Sequence, residues 1–346
     1  MDTNNRHSSA DRQAIFDIVK FIMALMVVAI HSSLFPMALY PWLRLAVPMF
    51  FIISSYFFFG SLCKLETAQE KNRRWWKYVK RNLILYGFWF VCLLPYTLYV
   101  NRYFDSGLVR GAYNFVKSLL FGDTFPASWF IQASIVAVTV IFFASKKIKD
   151  RYLFALALLI YCFAVFRSGY WSVVADVSLI NKVYNGYRFV FSEPMFNASS
   201  AFIWVMVGKL FAEKQVQINK IFAIVGLLLS GALLYGEWLF VRALNGSFNN
   251  DCYLFLVPTA FFAFHLISLI RVSPNGVTVF LGKSSTLIYT THIPTIAGVS
   301  LLLQRLFSAT STPLVFVLVV ALCTVGSLVV LTLEKVPAFR WLKYAH

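Results

Sequence analysis

The sequence predicts an all-α integral membrane protein with about ten transmembrane helices in one bundle and both termini in the cytoplasm. The first observation is composition: 60% of the 346 residues are hydrophobic and only 13% are charged, whereas soluble domains average about 45–50% apolar and 25% charged residues. The second is the mean hydropathy of +0.72. The third is that apolar residues come in blocks of about 20, the length that crosses a bilayer core as a helix.

The blocks define one membrane domain over residues 1–346. A short cytoplasmic N-terminus (1–13) precedes helices between 14 and 333, and a cytoplasmic tail (334–346) follows them. The ten predicted spans are 14–35, 42–63, 82–101, 127–145, 152–167, 196–212, 221–243, 253–270, 284–306 and 313–333.

The net charge of +17 follows membrane topology. Seven basic residues lie in the predicted inner loop 64–81, and four lie within 146–151. Cytoplasmic loops carry such an excess of Lys and Arg, so this pattern places both termini inside. It predicts anionic lipids as partners and argues against nucleic acid. The outer loops 102–126 and 168–195 are long enough for short amphipathic or re-entrant pieces.

The first apolar segment is expected to stay in the protein as a span. It is too long for the apolar region of a signal peptide, and it contains Asp17 and Lys20. The five cysteines show neither CxxC nor His/Cys metal spacing, so they are predicted to pack as small apolar residues, with no metal site.

Asp17, Lys20 and His31 form the most informative pattern in the chain. In a helix, the eleven residues from Lys20 to His31 make about three turns plus 20°, so both side chains share a face roughly 16 Å apart along the axis. Asp17 can pair with Lys20 at i,i+3. Ionisable groups in a membrane helix are costly and usually face the protein interior. The segment therefore predicts a functional site, with a buried imidazole at one end.

The stretch RQAIFDIVKFIMALMVVAIH resembles the opening helix of the acyltransferase-3 family, bacterial membrane enzymes that acylate sugars. That helix has an Asp, a basic residue three positions on, and a His after ten more; Asp17, Lys20 and His31 match. Lys20 stands where the family more often has Arg, which removes the bidentate guanidinium fork.

Four further stretches resemble the family in order. RLAVPMFFIISSYFFFG (44–60) contains Arg44, Ser54 and Tyr56, with Ser55 where the family usually has Gly. WWKYVKRNLILYGFW (75–89), SWFIQASIVAVTVIFF (128–143) and GKSSTLIYTTHIP (282–294) follow. The resemblance covers nearly the whole chain. Because the chain ends soon after the tenth predicted span, it is similar to members without a fused hydrolase-like domain.

The resemblance implies transfer of an acyl group, most often acetyl, from cytoplasmic acyl-CoA to a hydroxyl of a membrane-associated or cell-surface carbohydrate. The expected location is the bacterial inner membrane. Acyl-CoA would be a co-substrate, with no permanently bound cofactor and no metal. Its phosphates are too costly to desolvate in lipid, but its thin pantetheine arm could thread between Lys20 and His31.

His31 is the predicted catalytic residue, as general base or as nucleophile through an acyl-imidazole, because imidazole titrates near neutral pH. Lys20 and Asp17 are expected to organise the donor path, Lys20 by neutralising phosphate or a thioester carbonyl. The alternative for Lys20 and Asp17 is a structural ion pair at the inner boundary.

The remaining candidates divide between donor and acceptor. Lys77, Lys80 and Arg81 could hold the CoA phosphates, or serve topology alone, and His292 could border the donor channel or pack against hydroxyls. Acceptor or cavity residues are expected among Arg44, Ser54, Tyr56, Trp129, Arg188 and Glu193, each with an ordinary packing or interface role as the alternative. His265 is better explained as structural.

Two other function classes fit a polytopic chain with intramembrane charges. A transporter or flippase for a glycan or glycolipid would use paired discontinuous helices, for which the sequence gives no signal. A non-catalytic accessory protein would use Asp17, Lys20 and His31 only to hold helices together.

Overall fold

The computed structural model describes residues 3–34, 37–214, 216–245, 251–307 and 311–346. Every regular element in these ranges is helical. The α-helices are α1 (Thr3–His31), α2 (Tyr40–Leu43), α3 (Ala46–Leu62), α4 (Ala68–Asn101), α5 (Leu108–Phe121), α6 (Trp129–Ala144), α7 (Asp150–Gly169), α8 (Trp171–Val174), α9 (Ser178–Val190), α10 (Ala198–Lys214), α11 (Lys220–Asn245), α12 (Leu256–Ser268), α13 (Gly276–Phe307) and α14 (Thr312–Leu333). Short 3₁₀ helices lie at Met37–Leu39, Tyr103–Ser106, Pro194–Phe196 and Pro337–Ala345.

Each of the ten predicted spans falls on a helix of this set, and the all-α membrane class is confirmed. Seven helices of the described residues are long and apolar enough to cross a bilayer, with α2 and α3 taken as one. Ser178–Phe196 and Ala198–Lys214 pass the same test only as a pair bent by 48°, and Trp129–Ala144 and Leu256–Ser268 are shorter apolar helices. The chain is therefore a multi-pass membrane protein.

The predicted inner loop 64–81 is wrong over most of its length, because α4 begins at Ala68 rather than at 82. A capping box starts the helix: the Glu70 backbone N–H donates to the Thr67 hydroxyl (3.2 Å), and the Thr67 backbone N–H donates to a Glu70 carboxylate oxygen (3.1 Å). The residues that follow are mostly Ala, Gln, Glu, Lys and Arg, which favour helix. The basic cluster thus lies on a helix, not on a loop.

The described chain forms two compact units. Unit 1 comprises Met1–Val47 and Ala263–His346, and unit 2 comprises Pro48–Phe262.

In unit 1, α13 packs along both α1 and α14. Phe16 of α1 stacks on Phe264, with ring centroids 5.2 Å apart. Contacts at both ends show that α1 and α13 run parallel: Asp17 lies against Gly282, and His31 lies beside His292.

In unit 2, α10 packs against α6 and α7. Gly208 permits a close approach, because a Cβ there would lie 2.0 Å from the Ser55 hydroxyl and 2.5 Å from the Ile52 carbonyl oxygen. The next residue, Lys209, is almost fully buried and pairs with two carboxylates, at 2.8 Å from Asp150 and 2.5 Å from Glu213. This triad joins α10 to the start of α7.

The two segments predicted as outer loops carry the short helices that their length predicts. In the first, α5 is held to α6 by Gln132, whose Nε2 donates to the carbonyls of Ser118 (3.0 Å) and Leu119 (2.6 Å). In the second, α8 and α9 lead to the 3₁₀ turn before α10.

Candidate functional site

The contact between α1 and α13 in unit 1 begins at Gly282. A Cβ at this position would lie 2.5 Å from both Cγ and Oδ1 of Asp17. The Ser285 hydroxyl donates to the Gly282 carbonyl (2.7 Å). Gly282 therefore allows the backbone of α13 to come directly against the Asp17 carboxylate.

Asp17 and Lys20 form the ion pair that their spacing predicts. Lys20 Nζ lies 2.6 Å from Asp17 Oδ1. The Lys20 side chain is 28% exposed and the Asp17 side chain is 14% exposed. The carboxylate is thus held between Lys20 and Gly282, and the ammonium remains partly accessible. A partly exposed cation in a fixed position is suited to binding an anionic or carbonyl group.

His31 lies at the other end of the same contact, as the last residue of α1. The expectation of a buried imidazole is wrong, because His31 is exposed. The reason is local: the helix stops at His31 and a turn follows, so fewer neighbours surround the side chain than at mid-helix.

His292 of α13 lies beside His31, with ring centroids 5.1 Å apart and planes tilted by 47°. Unlike His31, His292 is fully buried. Its Nδ1 lies 2.7 Å from the carbonyl oxygen of Tyr289, one turn earlier. The sequence does not predict this pairing, because it identifies the two histidines separately and gives no register between their helices.

Arg44 is brought towards this end of unit 1 by α2. Leu43 packs in a cluster with Ala29 and Ile30, the two residues before His31. The Arg44 guanidinium donates to the Tyr40 hydroxyl (3.5 Å) and lies over its ring at 4.9 Å. The neighbourhood of His31 therefore includes a cation.

The other predicted donor residues lie on α4 of unit 2. Lys77, Lys80 and Arg81 share one face at i, i+3 and i+4, and all three are exposed. None of them forms an ion pair with a carboxylate of the described chain. The face is thus an uncompensated positive patch.

The predicted cavity residues of unit 2 make aromatic and hydroxyl contacts. The Ser54 and Tyr78 hydroxyls are 3.2 Å apart, joining α3 to α4. Trp129 lies between Phe51 and Phe196, at centroid distances of 5.9 and 5.8 Å. Tyr56 contacts the ring of Phe57. These contacts also describe ordinary helix packing, so they add no chemistry of their own.

Arg188 and Glu193 pair in unit 2, with Arg188 Nε 3.1 Å from Glu193 Oε1. Arg167 joins the same carboxylate at 3.3 Å, and the Tyr184 hydroxyl donates to it at 2.7–2.9 Å. We call these four residues, together with Lys117, the cation cluster. Lys117 Nζ donates to the Arg188 carbonyl oxygen at 3.5 Å.

The cation cluster has three positive groups and one negative group. Burial and the adjacent Arg188 lower the pKa of Lys117, while Glu193 acts in the opposite direction. The Arg167 guanidinium also lies over the rings of Tyr184 (4.7 Å) and Trp171 (5.1 Å). Positive charge with hydrogen-bond donors of this kind is suited to a ligand that carries an acidic or phosphate group.

Two contributors to these sites were not predicted. Arg167 is far from Glu193 in sequence, so no local spacing signals their contact. Gly282 lies in the stretch GKSSTLIYTTHIP, but its closeness to Asp17 depends on how α1 and α13 pack. Across the described residues, no group of three or more His, Cys, Asp or Glu is arranged to hold a metal ion.

Comparison with known proteins agrees with this architecture. Residues 13–332 match the family model Acyl_transf_3, described as an acyltransferase domain. No solved structure matches the chain.

Curated relatives come from enterococci. A serine/alanine racemase of Enterococcus gallinarum is 26% identical over 348 residues, covering 94% of this chain and 46% of the relative. An amino-acid racemase of Enterococcus faecalis is 24% identical over 271 residues, covering 72% of this chain and 35% of the relative. The chain thus spans less than half the length of these relatives.

Proposed function

Because the chain belongs to the acyltransferase-3 family, we propose that it transfers an acyl group, most simply acetyl, from acyl-CoA to a carbohydrate hydroxyl. The donor would bind from the cytoplasm, and the acceptor would be membrane-associated or at the cell surface. The chain would lie in a bacterial inner membrane with both termini inside, as its charge pattern predicts.

The observation that carries this proposal is the arrangement of ionisable groups along α1. The Asp17–Lys20 pair lies at one end of the contact with α13, and His31 lies at the other. The rise of an α-helix separates Lys20 from His31 by roughly 16 Å. An extended pantetheine arm can span such a distance, with its polar end near Lys20 and its thioester near His31.

The chemistry at His31 is general-base catalysis. A neutral imidazole accepts the proton of the acceptor hydroxyl while the oxygen attacks the thioester carbonyl. A C–O bond forms, the C–S bond breaks, and the imidazolium returns the proton to the departing thiolate. One local feature supports this role: Arg44 follows Leu43, which packs with Ala29 and Ile30 just before His31, and a cation in this neighbourhood could stabilise the oxyanion.

We propose two separate groups as candidates for the donor: Lys20 in unit 1, and the exposed face of Lys77, Lys80 and Arg81 in unit 2. Phosphate groups favour cations such as those of the exposed face. Asp17 orients Lys20 through their ion pair at 2.6 Å.

Acceptor binding is assigned to the cation cluster, with Ser54, Tyr56 and Trp129 as further cavity candidates in unit 2. The excess positive charge of the cluster favours an acidic or pyrophosphate-linked glycan over a neutral one. Aromatic rings next to the cations add faces on which sugars stack.

A second candidate acceptor is a small amino acid. The two relatives described above are named as amino-acid or serine/alanine racemases. Serine offers both a hydroxyl and an amine to a thioester, so the same base could serve it. Since those relatives are more than twice as long, their own activity is a separate question.

The test is label transfer in membranes that contain the protein. Acetyl-CoA carrying a radiolabelled acetyl group is incubated with extracted glycolipid, and in a parallel arm with serine or alanine. We expect label in the glycolipid, dependent on wild-type protein and lost in His31→Ala. Transfer to serine alone selects the second acceptor. No transfer in either arm, with gradient-driven movement of unmodified glycolipid, selects a transporter.

Membrane insertion must be equal in the variants. His265→Ala is the matched control, because His265 is also a histidine of unit 1 and is 3% exposed, but it has no assigned role in the reaction. Full turnover by His31→Ala, with wild-type levels of inserted protein, would rule out His31 as the base.

A further inference from the structure

We propose that His292 is a positioning residue whose Nε2 accepts a hydrogen bond from the ring N–H of His31 during the reaction. This inference rests on the proposed function, since it gives His292 a role in catalysis by His31. It goes beyond the expectation that His292 borders the donor channel.

The hydrogen bond to Tyr289 determines which nitrogen of His292 carries the proton. A carbonyl oxygen only accepts hydrogen bonds, so Nδ1, at 2.7 Å from it, must carry the N–H. In a neutral imidazole the other nitrogen then has a lone pair. His292 Nε2 is therefore an acceptor in a fixed ring.

This acceptor is buried and has no hydrogen-bond partner in the described structure. His292 is 0% exposed. Leaving a buried polar atom without a hydrogen-bond partner destabilises a fold. An unpartnered acceptor is easier to explain if it gains a hydrogen-bond donor during the reaction. A residue that only packs in the core would not need such an acceptor.

His31 is the ring beside this acceptor. The 5.1 Å separation of the ring centroids leaves room for one N–H···N hydrogen bond between the imidazoles. The exposed position of His31 lets its second nitrogen face a substrate while the first donates to His292.

The resulting chain runs from the Tyr289 carbonyl through His292 to His31 and then to the acceptor hydroxyl. Its effect is to hold the tautomer of His31 that has a lone pair towards the substrate. His292 keeps its own proton throughout. The proton of the hydroxyl moves to His31 and then to the CoA thiolate, so His292 is neither acid nor base in the reaction.

The same arrangement explains why the two histidines differ in exposure. A base must reach its substrate, and the group that orients it must be fixed. His31 meets the first requirement at the end of α1, and His292 meets the second inside α13.

The experiment uses full-length protein in membranes and measures kcat and the KM of each substrate. His292→Phe keeps an aromatic ring but removes the acceptor, and His292→Gln replaces Nε2 with an amide oxygen. Because misplacing a catalytic group costs on the order of 100-fold, we expect kcat to fall about 100-fold in His292→Phe with both KM values within twofold of wild type. We expect His292→Gln to recover at least tenfold of that loss.

The controls separate this inference from the proposed function. His265→Phe makes the same substitution at another buried histidine of unit 1 and should leave kcat within threefold. If wild-type protein transfers no label, the proposed function fails. If His31→Ala is inactive and His292→Phe turns over like wild type, this inference alone fails.

Two further outcomes overturn the inference. A raised donor KM with unchanged kcat in His292→Phe would assign His292 to the donor channel. Equal loss in folded His292→Phe and His292→Gln would show that shape, not the acceptor, matters. If His292→Phe does not accumulate, His292→Gln decides, since activity below one hundredth of wild type in folded protein contradicts the role.

Discussion

Gly282 and Asp17 approach so closely that the glycine cannot carry a side chain without movement: a Cβ would lie 2.5 Å from the carboxyl carbon of Asp17. The glycine belongs to α13 and the aspartate to α1, so the contact sets the distance between the two helices at the Lys20 end. The donor end of the proposed site therefore requires glycine at position 282, because any larger residue there would collide with Asp17.

We predict that Gly282→Ala displaces Asp17 and weakens donor binding. The new methyl group must push the carboxylate from Lys20 or move α13 outwards. We expect a rise in donor KM of about tenfold, which corresponds to about 1.4 kcal/mol, measured by acetyl-CoA titration of label transfer.

Gly298→Ala is the matched control for this substitution. Gly298 lies on the same helix, and a Cβ there meets no atom within 4 Å. Replacing a helical glycine by alanine favours the helix by roughly 0.5–1 kcal/mol. An unchanged donor KM in Gly282→Ala would contradict the steric argument.

We predict that Lys20→Gln raises the donor KM more than the acceptor KM. The substitution removes the charge that faces the donor but keeps a polar side chain beside Asp17. Lys20→Arg keeps the charge and introduces the residue that the family more often has at this position, so its donor KM should stay within a fewfold of wild type. An effect restricted to the acceptor would contradict the assignment.

We predict that neutralising the exposed face of α4 weakens donor binding without lowering kcat. The variant Lys77→Gln, Lys80→Gln, Arg81→Gln removes three uncompensated charges, and its effect on donor KM should shrink at high salt because exposed charges are screened. The control removes the charges of Lys147 and Lys214, which are also exposed. Equal effects in both variants would indicate a topological role only.

We predict that Lys209→Met strongly destabilises unit 2. It leaves the carboxylates of Asp150 and Glu213 without their shared cation, and breaking a buried ion pair costs about 3–5 kcal/mol. Thermal unfolding in detergent should show a lower midpoint, whereas Lys214→Met, at an exposed position, should not. Adding Asp150→Asn to Lys209→Met should recover part of the loss, since one unpaired charge is removed.

We predict that acid releases the C-terminal 3₁₀ helix from the end of α14. Desolvation raises the pKa of Glu334, but hydrogen bonds from His346 (2.6 Å) and Lys283 (2.9 Å) and their charges outweigh it and hold the pKa below 4.5. A carboxyl with a lowered pKa stabilises the fold above its ordinary pKa and loses that effect as pH falls through the lowered value. The protection of the Pro337–Ala345 amides, taken relative to the intrinsic exchange rate at each pH, should therefore be high at neutral pH and lost below about pH 4.

Glu334→Gln checks the cause of this transition. It should show fast exchange in Pro337–Ala345 already at neutral pH, with little change on acidification. Equal protection of wild-type protein at both pH values would contradict the prediction.

The positions of the membrane-spanning helices could be predicted, because the length of an apolar segment can be measured directly along the sequence. The predicted span 196–212 corresponds to Ala198–Lys214, and 127–145 corresponds to Trp129–Ala144. The start of α4 was missed because its first turns are polar. Their helix depends on a capping box and on helix-favouring charged residues, not on hydropathy.

The candidate site could be predicted only as far as one helix. Spacing within α1 gives the Asp17–Lys20 pair, since i,i+3 neighbours meet on any helix. The closeness of His292 to His31 depends on how α13 packs along α1. Hydropathy does not show which residues of two packed helices lie beside each other. The end of α1 at His31, which leaves the ring exposed, is likewise set by the turn that follows and not by the apolar run.

Unit 1 combines the first 47 residues with the segment from Ala263 onward, while unit 2 is one continuous stretch between them. A ribosome must therefore synthesise α13 before His31 can meet its neighbour. The proposed site at His31 therefore assembles only after α13 has been inserted. Before that point, α1 is expected to lie in the membrane without the helix that packs against His31.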